Sequence, residues 1–378
     1  MVQKIQVKTD DKNIKILAMY LPQFYRTTYN DEWWGEGYTD WVAAKNAKSL
    51  FRGHIQPKTP MNDNYYDLSG QDGDVIRWQA ELAKKYGIYG FCIYHYWFDG
   101  KKLLDTPVDI LLSHPEIDIH FSLCWDSKQW TKGWYGTEET VLMPQEYGNE
   151  EVWKKHFKDM EKCFLDPRYI KRDNRPVFHI YTASKIPCLK EMVACWDSMA
   201  KAVGFKGIYI VACNNYGRVE EENPAIDAYY NFEPNHAIGE PRNKVYFKIF
   251  IWWKRKIIHV VNKAFHLSIF DGKRDIRRVY HLILTDREKK EGKKVFYGIC
   301  PGYDDTPRKQ EKGMVYCHAS PALFERTLQK LINKSIRVGN EFIYINAWNE
   351  WGETAVLEPS QIDGYAYLMA VKNAMGAE

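Results

Sequence analysis

Eight near-continuous apolar runs recur along this chain of 378 residues, at 15–22, 88–98, 120–125, 176–182, 207–214, 225–232, 295–301 and 342–348. They are rich in β-branched and aromatic residues and do not alternate with polar ones. A strand of that composition is buried on both faces, as in a parallel sheet covered by helices. Amphipathic, helix-period stretches separate or follow the runs, at 74–86, 106–113, 151–164, 189–203, 274–291, 321–338 and 361–374. Strands alternating with helices predict an α/β fold, and eight parallel strands close a (β/α)8 TIM barrel. The length exceeds an average domain, yet barrels routinely run long, so 1–378 reads as a single catalytic barrel domain. An open doubly wound sheet is the rival. It would place a glycine-rich phosphate turn after the first strand, but Leu21-Pro22-Gln23-Phe24-Tyr25 has no glycine.

Barrel chemistry sits at the C-terminal ends of the strands. Strand one is followed by Gln23, Tyr25 and Glu32-Trp33-Trp34-Gly35-Glu36-Gly37-Tyr38-Thr39-Asp40-Trp41. Strand two ends in Tyr94-His95-Tyr96-Trp97-Phe98-Asp99, and strand three in Trp125-Asp126-Ser127-Lys128-Gln129-Trp130. Strand six gives Tyr229-Tyr230-Asn231-Phe232-Glu233-Pro234, and strand seven Pro301-Gly302-Tyr303-Asp304-Asp305-Thr306-Pro307-Arg308. After strand eight comes Asn346-Ala347-Trp348-Asn349-Glu350-Trp351-Gly352-Glu353. Tryptophan, tyrosine and carboxylate residues thus collect at one rim. Paired carboxylates beside flat apolar rings suit glycosidic-bond chemistry, which needs an acid, a base or nucleophile, and faces on which sugars stack.

Composition narrows the class. Hydrophobic residues make up 45% and aromatics 15%, with 14 Trp and 26 Tyr, so the chain is globular and equipped to stack on flat ligands. The net charge of +4 is too small to imply nucleic acid. None of the eight cysteines has C-x-x-C spacing, and His54, His120 and His179 have no ligand spacing, so neither a metal nor another cofactor is expected. Without an apolar leader segment at the N-terminus, and with cysteines read as reduced, the expected location is cytoplasmic.

A basic aromatic insertion at 240–271 follows strand six. From 242 to 263 it carries Arg242, Lys244, Lys248, Lys254, Arg255, Lys256 and Lys263 and no acidic residue, interleaved with Trp252, Trp253 and aliphatic positions. Such an amphipathic helix reads as a peripheral contact with the inner membrane. The plain alternative is a barrel helix with a basic outer face.

Four motifs, Ala18-Met19-Tyr20-Leu21-Pro22-Gln23-Phe24, Trp33 to Trp41, Gly90 to Phe98 and Trp348-Asn349-Glu350-Trp351-Gly352-Glu353, closely resemble the WbsX-type glycosyltransferase-like family. That family is related to glycoside hydrolase family 99, the endo-α-mannosidases. The resemblance runs over about 15–370 and implies a (β/α)8 barrel, action on glycosidic bonds and a place in bacterial surface polysaccharide (O-antigen or capsule) clusters. It assigns Glu350 as the base that deprotonates a sugar 2-hydroxyl, forming a 1,2-anhydro intermediate, and Glu353 as acid/base at the glycosidic oxygen, with net retention. The chain departs from the family at Asp126-Ser127-Lys128-Gln129, where Ala-Asn-Glu-Asn is usual, and has Asp304-Asp305 where Asp-Asn is common.

Catalysis is therefore expected at Glu350 and Glu353. Substrate contacts are expected at Tyr20, Gln23, Trp33, Trp34, Glu36, Tyr94, His95, Trp97, Trp125, Asp126, Tyr303, Asp304, Asn349, Trp351 and Glu358. Core packing competes with stacking for the tryptophans, and loop structure competes with sugar binding for Glu358 and Asp304. The expected partner is an oligosaccharide or lipid-linked glycan. Three functions stay open: glycosyl transfer or remodelling, endo-acting α-mannosidase-like hydrolysis, and glycan binding without turnover.

Overall fold

The structure, a computed structural model, describes residues 14–135, 140–215, 223–239, 241–265, 267, 269–286 and 292–376; the side chains of 134, 135 and 241–248 lie outside that description. Eight parallel strands close on themselves: β1 (Lys15–Tyr20), β2 (Gly90–Phe98), β3 (His120–Trp125), β4 (Arg175–Ile180), β5 (Tyr209–Asn214), β6 (Ala228–Asn231), β7 (Lys294–Ile299) and β8 (Phe342–Ile345). Each pairs with its neighbours in order, and β1 pairs with both β2 (Leu17 opposite Gly90) and β8 (Ala18 opposite Ile345). This is the (β/α)8 barrel expected from the apolar runs. All nine residues of β2 are buried, which is why its sequence shows no polar alternation.

Helices surround the barrel. Two short ones, α1 (Thr28–Trp34) and α2 (Asp40–Asn46), lie in the loop after β1, followed by α3 (Asp74–Lys85), α4 (Thr106–Ser113), α5 (Glu150–Leu165) and α6 (Leu189–Ala202). Then come α7 (Asn235–Gly239), α8 (Pro241–Phe265), α9 (Ile276–Thr285), α10 (Thr306–Lys309), α11 (Pro321–Arg337) and α12 (Ala366–Met375). Their starts are encoded locally. The Asn149 side chain accepts from the Glu151 and Val152 amides at the head of α5, and Ser320 accepts from Leu323 N before the N1 proline of α11. The last helix begins later than its apolar pattern, because Gly364 N and Ala366 N donate to Ser360 and Asp363 in a preceding turn. Of the 274–291 expectation, 287–291 lie outside the described residues.

The barrel interior is cross-braced. His179 Nε2 on β4 lies 2.8 Å from the Tyr344 hydroxyl on β8, which is four strands away around the barrel. Cys124 on β3 and the Tyr230 hydroxyl on β6 lie 3.6 Å apart. A packed, hydrogen-bonded interior of this kind leaves the C-terminal rim as the place for an open cavity.

Candidate active site

The strand-eight motif leaves the barrel as a tight hairpin. Asn349 and Glu350 pair antiparallel with Val356 and Ala355, and a single 3-10 turn, Trp351–Glu353, closes at Thr354 with φ +52°. Three-residue spacing on this turn sends Glu350 and Glu353 to the same side. Asn349 anchors the hairpin: its Oδ1 accepts from Leu21 N at 2.8 Å and its Nδ2 donates to Leu21 O at 3.0 Å.

Both glutamates line a cavity of about 320 Å³ at the C-terminal rim. The loop after β1 contributes Leu21, Gln23 and Trp34, and β2 contributes Tyr94 and Tyr96. From β3 and β4 come Asp126, Lys128, Trp130 and Tyr181. The β6 and β7 loops add Phe232, Asn235, Tyr303, Arg308 and Lys309. The cavity thus combines aromatic faces with a few converging polar groups, the usual make-up of a small-molecule site. Gln23 Oε1 and Asp126 Oδ1 are buried with no hydrogen-bond partner among the described residues, so each can accept from a hydroxyl that enters.

Arg308 organises the charge. Its side chain is 1% exposed and sits among three carboxylates. Nη2 donates to Asp40 Oδ1 at 2.9 Å and to Glu350 Oε2 at 3.3 Å, while Nη1 donates to Glu353 Oε1 at 2.9 Å. Asp40 is fully buried and also accepts from Gly352 N at 3.1 Å. A Cβ at Gly352 would lie 2.5 Å from Arg308 Nε and 2.8 Å from Asp40 Oδ2, so only glycine admits this approach.

One guanidinium does not neutralise three buried carboxylates. Burial and the adjacent Glu353 charge push the Glu350 carboxyl up to about 8, against the opposing pull of Arg308. Glu353 is also raised, by burial first, again opposed by Arg308. The pair therefore shares a proton near neutral pH. Glu353 keeps the shorter contact to Arg308 and more solvent (19% of its side chain against 8% for Glu350), which favours the shared proton on Glu350 in the free site.

The cavity brings together seven of the expected residues: Gln23, Trp34, Tyr94, Asp126, Tyr303, Glu350 and Glu353. The others stand elsewhere. His95 and Trp97 are on the opposite face of β2 from Tyr94 and Tyr96; His95 Nε2 lies 2.9 Å from His156 Nε2 on α5, and Trp97 stacks on the His156 ring at 4.6 Å. Burial pulls His95 down to about 4, so it is neutral. Trp125 is 1% exposed, and its Nε1 donates to Trp97 O. Tyr20 donates to Gln79 on α3. Trp33 packs edge-on behind Trp130, one layer outside the cavity. Glu36 is exposed and paired with Arg26. Asp304 is occupied by His54, Gln56 and Thr306, and its amide donates to Glu353 O at 2.7 Å, so it braces the strand-eight hairpin. Trp351 turns away from the cavity and donates from Nε1 to Glu358 Oε2 at 2.7 Å. Glu358 also accepts from Gln79 and Tyr66, and burial raises it to about 7. Asn349, Trp351 and Glu358 therefore hold the hairpin rather than line the cavity.

The sequence reading did not assign Arg308, Asp40, Tyr96, Trp130, Tyr181, Phe232 or Asn235. Two signals were present. An acidic pair in a buried hairpin demands a counter-charge, and Arg308 is a cation in a rim segment. Residues at alternate positions of β2 share a face, which groups Tyr94 with Tyr96. At the altered strand-three rim, Lys128 is half-exposed, with Nζ 3.9 Å from Asp126 Oδ1 and 4.8 Å from the Tyr181 ring centre.

Residues 16–371 match the family described as Glycosyltransferase WbsX. The protein WxcX of Xanthomonas campestris pv. campestris (strain B100), itself uncharacterized, is 31% identical over 363 residues. That stretch is 95% of this chain and 49% of the relative, so the chain spans about half the length of the curated relatives it matches. Among solved structures, the GH99 endo-alpha-mannosidase from Bacteroides thetaiotaomicron aligns with a TM-score of 0.54 at 14% identity, over 97% of each chain. A glycoside hydrolase-like protein aligns with a TM-score of 0.58 at 12% identity, over 99% of this chain and 97% of the other. At such identities the structures share the fold.

Proposed function

The chain belongs to the WbsX glycosyltransferase family, and on that premise we propose that it is a carbohydrate-active enzyme that transfers or remodels glycosyl units in bacterial surface polysaccharide biosynthesis. The observation that carries this reading is the pair Glu350 and Glu353, joined through Arg308 in the wall of an aromatic-lined rim cavity.

In this reading a glycan lies on the aromatic faces, with hydroxyls donating to Gln23 and Asp126. Its 2-hydroxyl donates to Glu350, which favours the Glu350 anion and moves the shared proton to Glu353. Glu350 then takes the 2-hydroxyl proton as O2 attacks C1. The bond from C1 to the leaving oxygen breaks, and that oxygen takes the proton from Glu353. An acceptor hydroxyl, deprotonated by Glu353, opens the 1,2-anhydro ring at C1, and Glu350 returns its proton to O2. Two inversions give net retention. A lipid-linked glycan at the cytoplasmic face of the inner membrane is the acceptor this reading favours. Hydrolysis is the second reading, favoured by the fold shared with the endo-alpha-mannosidase, since water can replace the acceptor.

The test is incubation of the purified protein with α-mannosides and lipid-linked oligosaccharides. A lengthened glycan supports transfer, and released reducing sugar supports hydrolysis. Binding without turnover overturns the catalytic reading. Glu353→Gln should lower turnover about 10²–10⁴-fold while glycan binding persists; a wild-type rate in that variant removes Glu353 from the chemistry.

A further inference from the structure

Helix α8 carries apolar side chains on its outward face as well as on the face toward the barrel. Among the side chains described from 249 onward, Ile249, Trp253, Ile257 and Val260 fall at helical spacing on one stripe. That stripe faces away from the barrel: Trp253 is 57% exposed, Val260 62%, and Phe265 at the helix end 70%. The half-buried positions are Ile251, Lys254, Ile258, Val261 and Asn262, and Lys254 Nζ donates to Lys273 O at 3.0 Å. A surface helix ordinarily turns its apolar stripe inward, so an outward stripe marks an interaction surface.

The flanking charge selects the occupant. Residues 249–265 contain Lys254, Arg255, Lys256 and Lys263 and no carboxylate; Arg255 pairs with Asp271 at 3.2 Å and Lys254 turns to Lys273 O, which leaves Lys256 and Lys263 as the outward cations. Lys256 Nζ sits 4.8 Å over the Trp252 ring, and Trp252 and Trp253 pack edge to face. Tryptophan beside lysine is the pairing of a membrane interface, and cations around it match anionic headgroups. A second copy would bring the same cations face to face, and lysine is depleted from protein interface cores. Among the described residues no helix is long and apolar enough to cross a membrane, so the contact is with a surface. Helix α8 follows directly on α7, whose Asn235 lines the rim cavity.

We propose that α8 docks the protein on an anionic bilayer, with Ile249, Trp253, Ile257 and Val260 in the headgroup–acyl boundary and Lys256 and Lys263 among the phosphates. This rests on the lipid-linked acceptor proposed above for its purpose: the cavity wall is anchored at the surface where such a glycan is carried. The test is co-sedimentation of the full chain with phosphatidylcholine vesicles, with and without phosphatidylglycerol. Binding is expected only with the anionic lipid and should weaken with added salt. It should fall about fivefold for each of Lys256→Glu and Lys263→Glu, and by more for Trp253→Ser, with unchanged unfolding midpoints. Failure to bind anionic vesicles, equal binding to both lipids, or unchanged binding by all three variants overturns docking. Self-association abolished by Trp253→Ser, without vesicle binding, also overturns it and assigns the stripe to a second copy. Turnover of a water-soluble glycan without vesicles is read separately, so an active enzyme that fails to sediment sinks only the docking.

Discussion

Replacing Glu350 by Gln should stabilise the protein increasingly as the pH rises. In the fold the Glu350 carboxyl titrates near 8, raised from 4.5 by burial and by Glu353. Between those values the folded protein holds a proton that the unfolded chain has released. Unfolding free energy therefore falls as pH rises through that window, and is flat outside it. Each pH unit is worth about 1.4 kcal/mol, so the wild type loses about 4 kcal/mol from this one group between pH 5 and pH 8. Gln has the shape of the protonated acid and does not titrate. The advantage of Glu350→Gln over wild type should therefore be small at pH 5 and grow by about 4 kcal/mol at pH 8, or roughly 5 °C in midpoint for a chain of this length. Thermal and urea unfolding of both proteins at several pH values would measure it, with Glu353→Gln as the matched control. A pH-independent gap, or one that closes as pH rises, refutes the placement of the proton on Glu350. The same slope in Glu353→Gln alone would move the proton to Glu353.

Arg308→Met leaves Asp40, Glu350 and Glu353 buried without their shared cation, so it should cost about 3–5 kcal/mol near neutral pH; because Arg308 lowers both glutamates, the cost should shrink toward pH 5, as urea titrations at two pH values would show. Gly352→Ala forces Arg308 and Asp40 apart and should cost about 1–3 kcal/mol in unfolding experiments, with turnover falling more than glycan binding. Lys128→Ala removes a half-exposed cation from the cavity edge; its midpoint should stay near wild type, while KM rises about fivefold for a glycan bearing an acidic group and changes little for a neutral one.

The barrel was legible because parallel strands buried on both faces leave unbroken apolar runs, and each of the eight runs overlaps a strand. The strand-eight hairpin was legible because its candidate residues are contiguous: five residues carry both glutamates. The loop after β1 was not, since α1 and α2 are seven residues each and too short to show a period. Nor was the cluster that sets the charge, because Arg308 and Asp40 meet across 268 positions of sequence. The misplaced tryptophans have a simpler cause. A rim segment such as Tyr94 to Trp97 still belongs to a strand, so successive side chains point to opposite faces. Reading the segment as one surface put His95 and Trp97 in the cavity, whereas they pack against α5. The same period separates buried Trp125 from cavity-lining Asp126.

The charge inventory of the rim ties these observations together. Six carboxylates, Asp40, Asp126, Asp304, Asp305, Glu350 and Glu353, meet three cations, Lys128, Arg308 and Lys309, with His54 beside Asp304. Such a site cannot ionise fully when closed from water, and the least costly relief is a proton held between Glu350 and Glu353. An arginine that pairs with both glutamates lowers each carboxyl, and its shorter contact to Glu353 favours the charge there and the proton on Glu350. Lys128 adds a half-exposed positive charge to the same rim. The Lys128 ammonium stands 3.9 Å from Asp126 Oδ1, apart from the Glu350–Arg308–Glu353 unit, so a change at Lys128 should alter the preference for charged glycans without disturbing that unit.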